Sequence, residues 1–61
     1  MDLSVYLNKR VLIILTNQFT YTGRVVEADK NSLVIIDKNN CRVSLSESYI
    51  QLIKEVSFNG S

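Results

Sequence analysis

The most distinctive feature of the chain is a run of five apolar residues, 11–15, with no polar residue in either phase. Successive side chains of a strand point to opposite faces, so a strand with one solvated face alternates apolar and polar residues. A strand that is apolar in both phases is covered on both sides. The strand predicted over residues 33–37 shows the same pattern. In so short a chain, we expect something outside the chain to supply the second cover.

Between these two segments, residues 19–26 predict a long strand with a bend at its middle. The segment is rich in β-branched and aromatic residues, which favour strands. Gly23 lies in its interior, where a glycine marks a bend, a bulge or the close approach of another backbone. We interpret Gly23 as the bend, because a bent strand of this length can pair at both ends and curl a sheet into a barrel.

Short polar segments between the apolar ones predict tight turns. Asn17 and Gln18 form the first, with Asn17 suited to a positive φ. Parallel neighbours need crossovers of about a dozen residues or more, so links this short require an antiparallel sheet. The fold class expected is all-β: a five-stranded, strongly bent antiparallel small barrel. The later links are predicted at residues 29–32, 38–40 and 46–48.

The last two strands are predicted over residues 41–45 and 49–56. The first of them alternates cleanly, with Cys41 in the inward phase. We interpret Cys41 as a small buried hydrophobic residue, since no histidine exists to activate it as a nucleophile. Tyr21 is likewise interpreted as a core residue. Neither strand contains proline or much inward charge, and edges of this kind invite pairing with another chain.

The N-terminal segment, residues 2–8, has two open interpretations. Asp2 or Ser4 could cap a short helix of two turns, in which Leu3 and Leu7 would share one face. An extended lead-in to the first strand fits the same residues.

The chain length of 61 residues predicts a single domain, residues 1–56, followed by a tail at 57–61 without packing signals. Domains of this size bury little surface and usually need a staple or an oligomer. Cys41 is the only cysteine and histidine is absent, which excludes a disulfide within the chain and a structural zinc site. Self-association is the remaining source of stability.

The net charge of +1 neither favours nor excludes a nucleic-acid partner. The longest apolar run is far below the roughly 20 residues that a membrane span requires, so no membrane partner is expected. The N-terminal residues lack the basic region and cleavage site of a secretory signal. We therefore expect a reducing, cytoplasmic location.

Catalysis has little support in the sequence. The acidic residues are scattered, and no pair has a spacing that general acid–base chemistry requires. Gly23 and Gly60 are the only glycines, so a glycine-rich phosphate loop is absent. The chain is expected not to be an enzyme, with no catalytic residue, cofactor or metal ligand.

These residues together resemble the Sm and Sm-like (LSm) family, to which the bacterial protein Hfq is related. The resemblance covers about residues 2–56 and consists of an N-terminal helix, a strand, a turn, an aromatic residue two positions before a glycine, and an aspartate that opens the next loop. It implies a homo-oligomeric ring, in which strand 41–45 of one subunit pairs with strand 49–56 of the next. The matching positions are residues 11–15, Asn17, Tyr21, Gly23, Asp29, Leu33 and Ile35.

The same resemblance implies that each subunit binds one nucleotide of single-stranded RNA, U-rich or A-rich, between two loops. Asp29 would orient the backbone of its loop, Asn31 would contact the base, and Lys30 would meet phosphate. Ser46 and Ser48 would donate to base edges or phosphate. Tyr49 would either offer a stacking plane or pack at an interface.

Two departures from the family change the expected strength of this site. Leu33 stands where the family usually carries an asparagine, and Ser46-Glu47 replaces the usual Arg-Gly, so the stacking arginine is missing. Stacking contributes about 1–3 kcal/mol per base. We therefore expect weak binding by one subunit, with repetition around a ring restoring avidity.

Two functions compete on these grounds. The first is an Sm-like RNA chaperone or scaffold of a ribonucleoprotein. The second is an SH3-like barrel that recognises protein without binding RNA, similar to the C-terminal domain of ribosome-maturation factors.

Overall fold

Five antiparallel strands form one sheet, and this confirms the predicted all-β class. The structure, a computed structural model, describes residues 2–56, so the predicted tail at 57–61 lies outside it. In sequence order the strands are Arg10–Leu15 (β1), Thr20–Ala28 (β2), Ser32–Asp37 (β3), Arg42–Ser46 (β4) and Ile50–Glu55 (β5). Their order across the sheet is β4-β3-β2-β1-β5.

The long strand β2 is shared between two partners. Residues 20–24 pair with β1, and residues 23–28 pair with β3. The two sets overlap at Gly23 and Arg24, so β2 joins the two halves of the sheet at its middle. This is the pairing at both ends that its length predicted.

Gly23 is required by the close approach of β3. A Cβ atom at this position would overlap the carbonyl oxygen of Ile36 and would lie 3.0 Å from its carbonyl carbon. The irregularity in pairing occurs further along, between Val25 and Glu27, where Val26 is the extra residue. A bulge of this kind bends the strand and increases its twist. Gly23 therefore permits a close backbone contact at the middle of β2, where the two pairings overlap, and Val26 marks a bulge further along.

The core lies against one face of the sheet, which we call the inner face. Alternate residues of β1 and β3 point into it and are fully buried. The other residues of these strands, among them Leu12, Ile14, Val34 and Ile36, lie on the outer face and are only partly buried. The core consists of Leu3, Val11, Ile13, Leu15, Val25, Leu33, Ile35, Leu45 and Ile50, and Tyr21 packs against it as predicted.

The hydrogen-bonded sheet is open between β4 and β5, which are its two edges. A short 3₁₀ helix, Glu47–Tyr49, carries the chain from one edge to the other. Leu45 of β4 and Ile50 of β5 are buried in the same core. The predicted barrel is therefore barrel-like in its packing, whereas its backbone pairing does not close.

The N-terminal segment forms a single turn, the 3₁₀ helix Leu3–Tyr6. The Oδ1 atom of Asp2 caps it by accepting hydrogen bonds from the backbone N–H and the hydroxyl of Ser4, at 3.0 and 2.6 Å. The first helical residue is buried and the last packs against the core, whereas Leu7 is exposed. A 3₁₀ helix repeats every three residues. Of the two interpretations of this segment, the two-turn helix with apolar residues at i and i+4 is therefore wrong, and residues 3–6 are helical rather than extended.

Backbone hydrogen bonds from Leu15 to Phe19 and from Asp37 to Cys41 close the β1–β2 and β3–β4 hairpins, and each closed loop contains three residues. Gln18 and Asn40 are their third residues, with φ of 76° and 64°. Each donates its backbone N–H to the carbonyl three residues earlier, at 2.9 Å. A turn followed by a left-handed residue is a common three-residue hairpin loop. The predicted two-residue turn with a positive φ at Asn17 is wrong, and Asn17 instead accepts a hydrogen bond within the turn through its side chain.

Cys41 closes the second of these loops and is exposed, so its predicted burial is wrong. Its backbone N–H donates to Oδ1 of Asp37 at 3.0 Å. The loop takes up residues 38–40, which places Cys41 before the start of β4 and outside the core. The strand bounds shift accordingly, from the predicted 41–45 to Arg42–Ser46 and from 49–56 to Ile50–Glu55.

Candidate nucleic-acid interface

Two loops that the resemblance assigned to RNA binding lie side by side. The backbone N–H of Glu47 donates to the carbonyl oxygen of Asn31 at 2.8 Å. This hydrogen bond joins the β2–β3 loop to the link between β4 and β5. Ser32 and Ser46 face each other directly across the adjoining strands, which places the two loops in register. The structure therefore brings together most of the predicted site residues.

Asp29 organises the first loop through its own side chain. Its Oδ1 accepts from the backbone N–H groups of Asn31 and Ser32, both at 2.9 Å, and from the hydroxyl of Ser32 at 3.1 Å. The hydrogen bond from the backbone of Asn31 is the main cause that lowers the pKa of Asp29, and the hydroxyl of Ser32 lowers it further. A carboxylate used in this way is a turn-forming group. Asp29 thus shapes the β2–β3 loop, and its Oδ1 is occupied by hydrogen bonds within that loop.

Lys30 and Asn31 form the exposed part of the same loop. The carbonyl of Lys30 accepts from the backbone N–H of Leu3 at 3.2 Å, which ties the loop to the N-terminal 3₁₀ helix. Both backbone carbonyls of the loop tip are therefore used for packing. The side chains of these two residues remain at the surface, where a ligand can reach them.

Ser46 and Ser48 lie on the second loop, with their hydroxyl oxygens 3.3 Å apart. Both residues are exposed. Tyr49 is at the other end of the short 3₁₀ helix, where its carbonyl accepts from the backbone N–H of Thr16 at 2.9 Å. Tyr49 is 63% exposed. Tyr49 therefore belongs to the side of the link that faces the β1–β2 hairpin, whereas the serines belong to the side that faces Asn31.

The charge around the loops is mostly negative. A cavity of about 120 Å³ beside the first loop is lined by Glu27, Asp29, Ser32 and neighbouring apolar residues. Glu47 adds a third carboxylate, and Lys30 is the cation of the loop tip. The arrangement offers amide and hydroxyl groups to a base edge. It offers little that attracts phosphate.

One residue of this region, Glu47, was not predicted from the sequence. The sequence marks Glu47 as one of the scattered acids and as part of the Ser46-Glu47 pair that replaces the usual Arg-Gly, yet its backbone N–H provides the hydrogen bond between the two loops. No side-chain pattern marks a backbone donor of this kind. The only available signal was the brevity of the link between the last two strands.

Comparison with known proteins gives no assignment: no family model, curated protein or solved structure matches the chain. Among residues 2–56, no group of three or more histidine, cysteine or acidic side chains could hold a metal ion. No helix in this part of the chain is both long and apolar enough to cross a bilayer. The geometry of the sheet and its loops is therefore the basis for proposing a function.

Proposed function

We propose that the chain is an Sm-like protein that assembles into a homo-oligomeric ring and binds single-stranded RNA, as an RNA chaperone or a scaffold of a ribonucleoprotein. The observation that carries the proposal is the strand order β4-β3-β2-β1-β5 with the two loops joined beside one edge. This order leaves β4 and β5 as the edges, which are the strands that the resemblance assigned to contacts between subunits.

Self-association is supported by the chemistry of these edges. Neither β4 nor β5 contains proline, the usual residue that blocks a strand edge. Leu52 of β5 is 43% exposed and lies on the outer face, opposite the half-buried Ile14. Pairing β4 of one copy with β5 of the next is a heterologous contact, which must close by rotation to give a ring.

RNA binding is supported by the joined loops. Asn31 can hydrogen-bond a base edge, and the hydroxyl groups of Ser46 and Ser48 lie on the adjacent loop. Lys30 can contact a phosphate, and Tyr49 can offer a stacking plane. One such site is weak because it lacks the stacking arginine of the family. Copies of the site around a ring would bind one strand with higher avidity.

Assembly is tested by the mass of the protein in solution. Light scattering at micromolar concentration is expected to give a multiple of 7.0 kDa. A well-folded monomer of 7.0 kDa would contradict the ring.

A set of three variants locates the contact. Leu52→Asp is expected to dissociate the assembly with the fold retained, because this side chain lies on the outer face. Ile53→Asp is expected to lose the fold as well, because Ile53 packs against the core opposite Ile13. Val5→Asp is the matched control, since it introduces the same charge at an exposed apolar residue of the N-terminal 3₁₀ helix.

RNA binding is tested by titration with labelled oligo-U and oligo-A at several salt concentrations. Each phosphate contact to a single strand contributes about −0.7 to the slope of log affinity against log salt. Asn31→Ala is expected to weaken binding and to reduce the difference between the two oligonucleotides. Absence of binding to both would rule out the proposed RNA function.

The second candidate, a protein-binding SH3-like barrel, is favoured by one observation. Phe19 is 62% exposed, and Tyr49 and Leu52 are exposed apolar residues as well. The carbonyls of Phe19 and Tyr49 accept hydrogen bonds from the backbone N–H groups of Leu15 and Thr16, and Leu52 lies opposite Ile14, so all three residues lie near the end of β1. A monomer that does not bind RNA would support this candidate.

A further inference from the structure

A row of arginine residues crosses the outer face of the sheet. The strand registers place Arg10 opposite Arg24, Arg24 opposite Ile36, and Ile36 opposite Arg42. Residues that face each other directly in an antiparallel pair share one face. The row therefore contains three arginines across four neighbouring strands, and all three are exposed. We call it the arginine row.

The β1 end of the row has an unusual charge arrangement. Arg10 and Arg24 are directly opposite each other, and like charges in that position destabilise a sheet. A cleft of about 320 Å³ opens beside them, lined by Arg10, Gly23, Arg24, Val26, Ile36, Asp37 and Lys38. Three cations and one carboxylate thus surround this cleft. Oδ1 of that carboxylate, in Asp37, accepts hydrogen bonds from the backbone of Asn39 and Cys41, at 2.9 and 3.0 Å.

Further cations lie beside the row on β5 and at its β4 end. Lys54 lies on the same outer face, opposite Leu12 on the next row of β1. Arg42 forms an ion pair with Glu27, and both side chains are more than half exposed. An exposed pair of this kind is weak, so Arg42 can exchange its partner for another anion.

The arginine row and the two loops differ in charge. The loops offer amide and hydroxyl groups among three carboxylates, whereas the cleft beside the row is lined mainly by cations. A strand of RNA carries one negative charge per nucleotide. Lys30 is the single cation at the tip of the first loop, so a protein that contacts bases at the loops gains affinity from a second surface that binds further phosphates.

We propose that the arginine row is a phosphate-binding track for the backbone of single-stranded RNA, with the cleft beside Arg10 and Arg24 as its strongest position. This inference rests on the proposed RNA-binding function and adds a second surface to it. The row spans three strand spacings, about 14 Å at the usual spacing of about 4.8 Å. A track of that length fits several consecutive phosphates of an extended chain better than it fits one small anion.

The test compares two probes by fluorescence anisotropy across a range of salt: a labelled RNA oligonucleotide and an abasic ribose-phosphate oligomer of the same length. Arg24→Gln is expected to reduce the magnitude of the salt slope by about 0.7 for each lost phosphate contact, with both probes. The preference between U-rich and A-rich RNA should not change. Lys9→Gln is the control, since it removes the same charge from a residue that pairs with Glu55 and lies outside the row.

The outcomes separate this inference from the proposed function. If Asn31→Ala weakens RNA binding but Arg24→Gln leaves the slope unchanged, the track is wrong and the loop site stands. An equal loss of slope in Lys9→Gln would also overturn the track, because the effect would then come from net charge alone. A third outcome is that Arg24→Gln lowers the salt slope, both probes bind equally, and Asn31→Ala has no effect. This outcome would support the phosphate track and contradict base recognition at the loops. Failure of wild-type protein to bind either probe overturns both.

Discussion

The inner and outer faces of this sheet are built from the same strands, yet they differ in nearly every property. On β1, Ile13 points inward and is fully buried, whereas its neighbour Ile14 points outward and is half-buried. The inner face contains apolar residues that pack against each other and against the N-terminal 3₁₀ helix. The outer face mixes apolar residues with arginines. The inner face is thus covered by the chain itself, whereas the outer face stays partly exposed.

This difference separates the residues that stabilise the fold from those that meet the solvent. Burial of the inner face supplies the stability of the fold, which for this length is about 3–9 kcal/mol at 0.05–0.15 kcal/mol per residue. Charges placed on the outer face cost little as long as water surrounds them. The same strands can therefore hold a core on one side and a charged binding surface on the other.

The sharpest way to test the comparison is to truncate neighbouring isoleucines. Ile13→Ala is expected to lower the free energy of unfolding by about 2–5 kcal/mol, because it leaves a cavity in a fully buried site. Ile14→Ala is expected to cost about 1 kcal/mol or less, because its side chain is only partly buried. Urea unfolding at a fixed protein concentration measures both. Equal losses would mean that the outer face is covered in solution.

A substitution at Gly23 tests the backbone contact between the two halves of the sheet. Gly23→Ala is expected to lower the free energy of unfolding by about 1–3 kcal/mol, because the new methyl group overlaps the backbone of Ile36. Thr22→Ala, at the neighbouring exposed position, is the control and should change stability little. The same urea transitions measure the effect. A Gly23→Ala protein as stable as wild type would show that β3 does not approach β2 so closely.

A substitution at Asp29 tests how much its carboxylate stabilises the loop that connects β2 to β3. Its pKa is lowered below the ordinary value of 3.8, so it stabilises the folded protein above that pH, and the stabilisation is lost as the pH falls through the lowered pKa. Asp29→Asn removes the charge that receives these hydrogen bonds, and we expect a smaller loss of stability than for Gly23→Ala.

The pH dependence provides the check on this interpretation. Urea midpoints of wild type and Asp29→Asn should differ near neutral pH and converge when the pH falls below 3.8. A difference that stays constant over this range would mean that the carboxylate charge does not hold the loop.

The smallest expected effect is a gain in stability. Arg24→Gln removes the repulsion between Arg24 and Arg10, and it is expected to raise the free energy of unfolding by at most about 0.2–1 kcal/mol. Thermal unfolding at low salt measures it, and the gain should shrink when salt screens the charges. A loss of stability would show that Arg24 contributes more through packing than it costs through repulsion.

Much of the fold was predictable from the residues alone. The apolar runs of β1 and β3, the length of β2 and the short links required five antiparallel strands, and the structure has them. The predictions that were wrong concern local details. The turn at Gln18, the exposure of Cys41 and the 3₁₀ form of the N-terminal helix each depend on one or two residues of register, and short-range propensities do not determine these.

The candidate site was predictable only in part. The resemblance named Asp29 and Asn31, and the structure shows how their loop meets the link that contains Glu47. The arginine row escaped sequence reasoning because its members are far apart in the chain: Arg10, Arg24 and Arg42 lie on three different strands. Only strand pairing aligns them.

By itself, then, the sequence determined which strands exist and that they are antiparallel, because alternation and link length are local properties of the chain. The tertiary structure alone decided which residues face each other across the strands, because register depends on bulges such as the one at Val26 and on backbone contacts such as that at Gly23. A shift of one residue would move every side chain of a strand to the opposite face. The composition of both faces, and with it the charge that a partner meets, follows from that register.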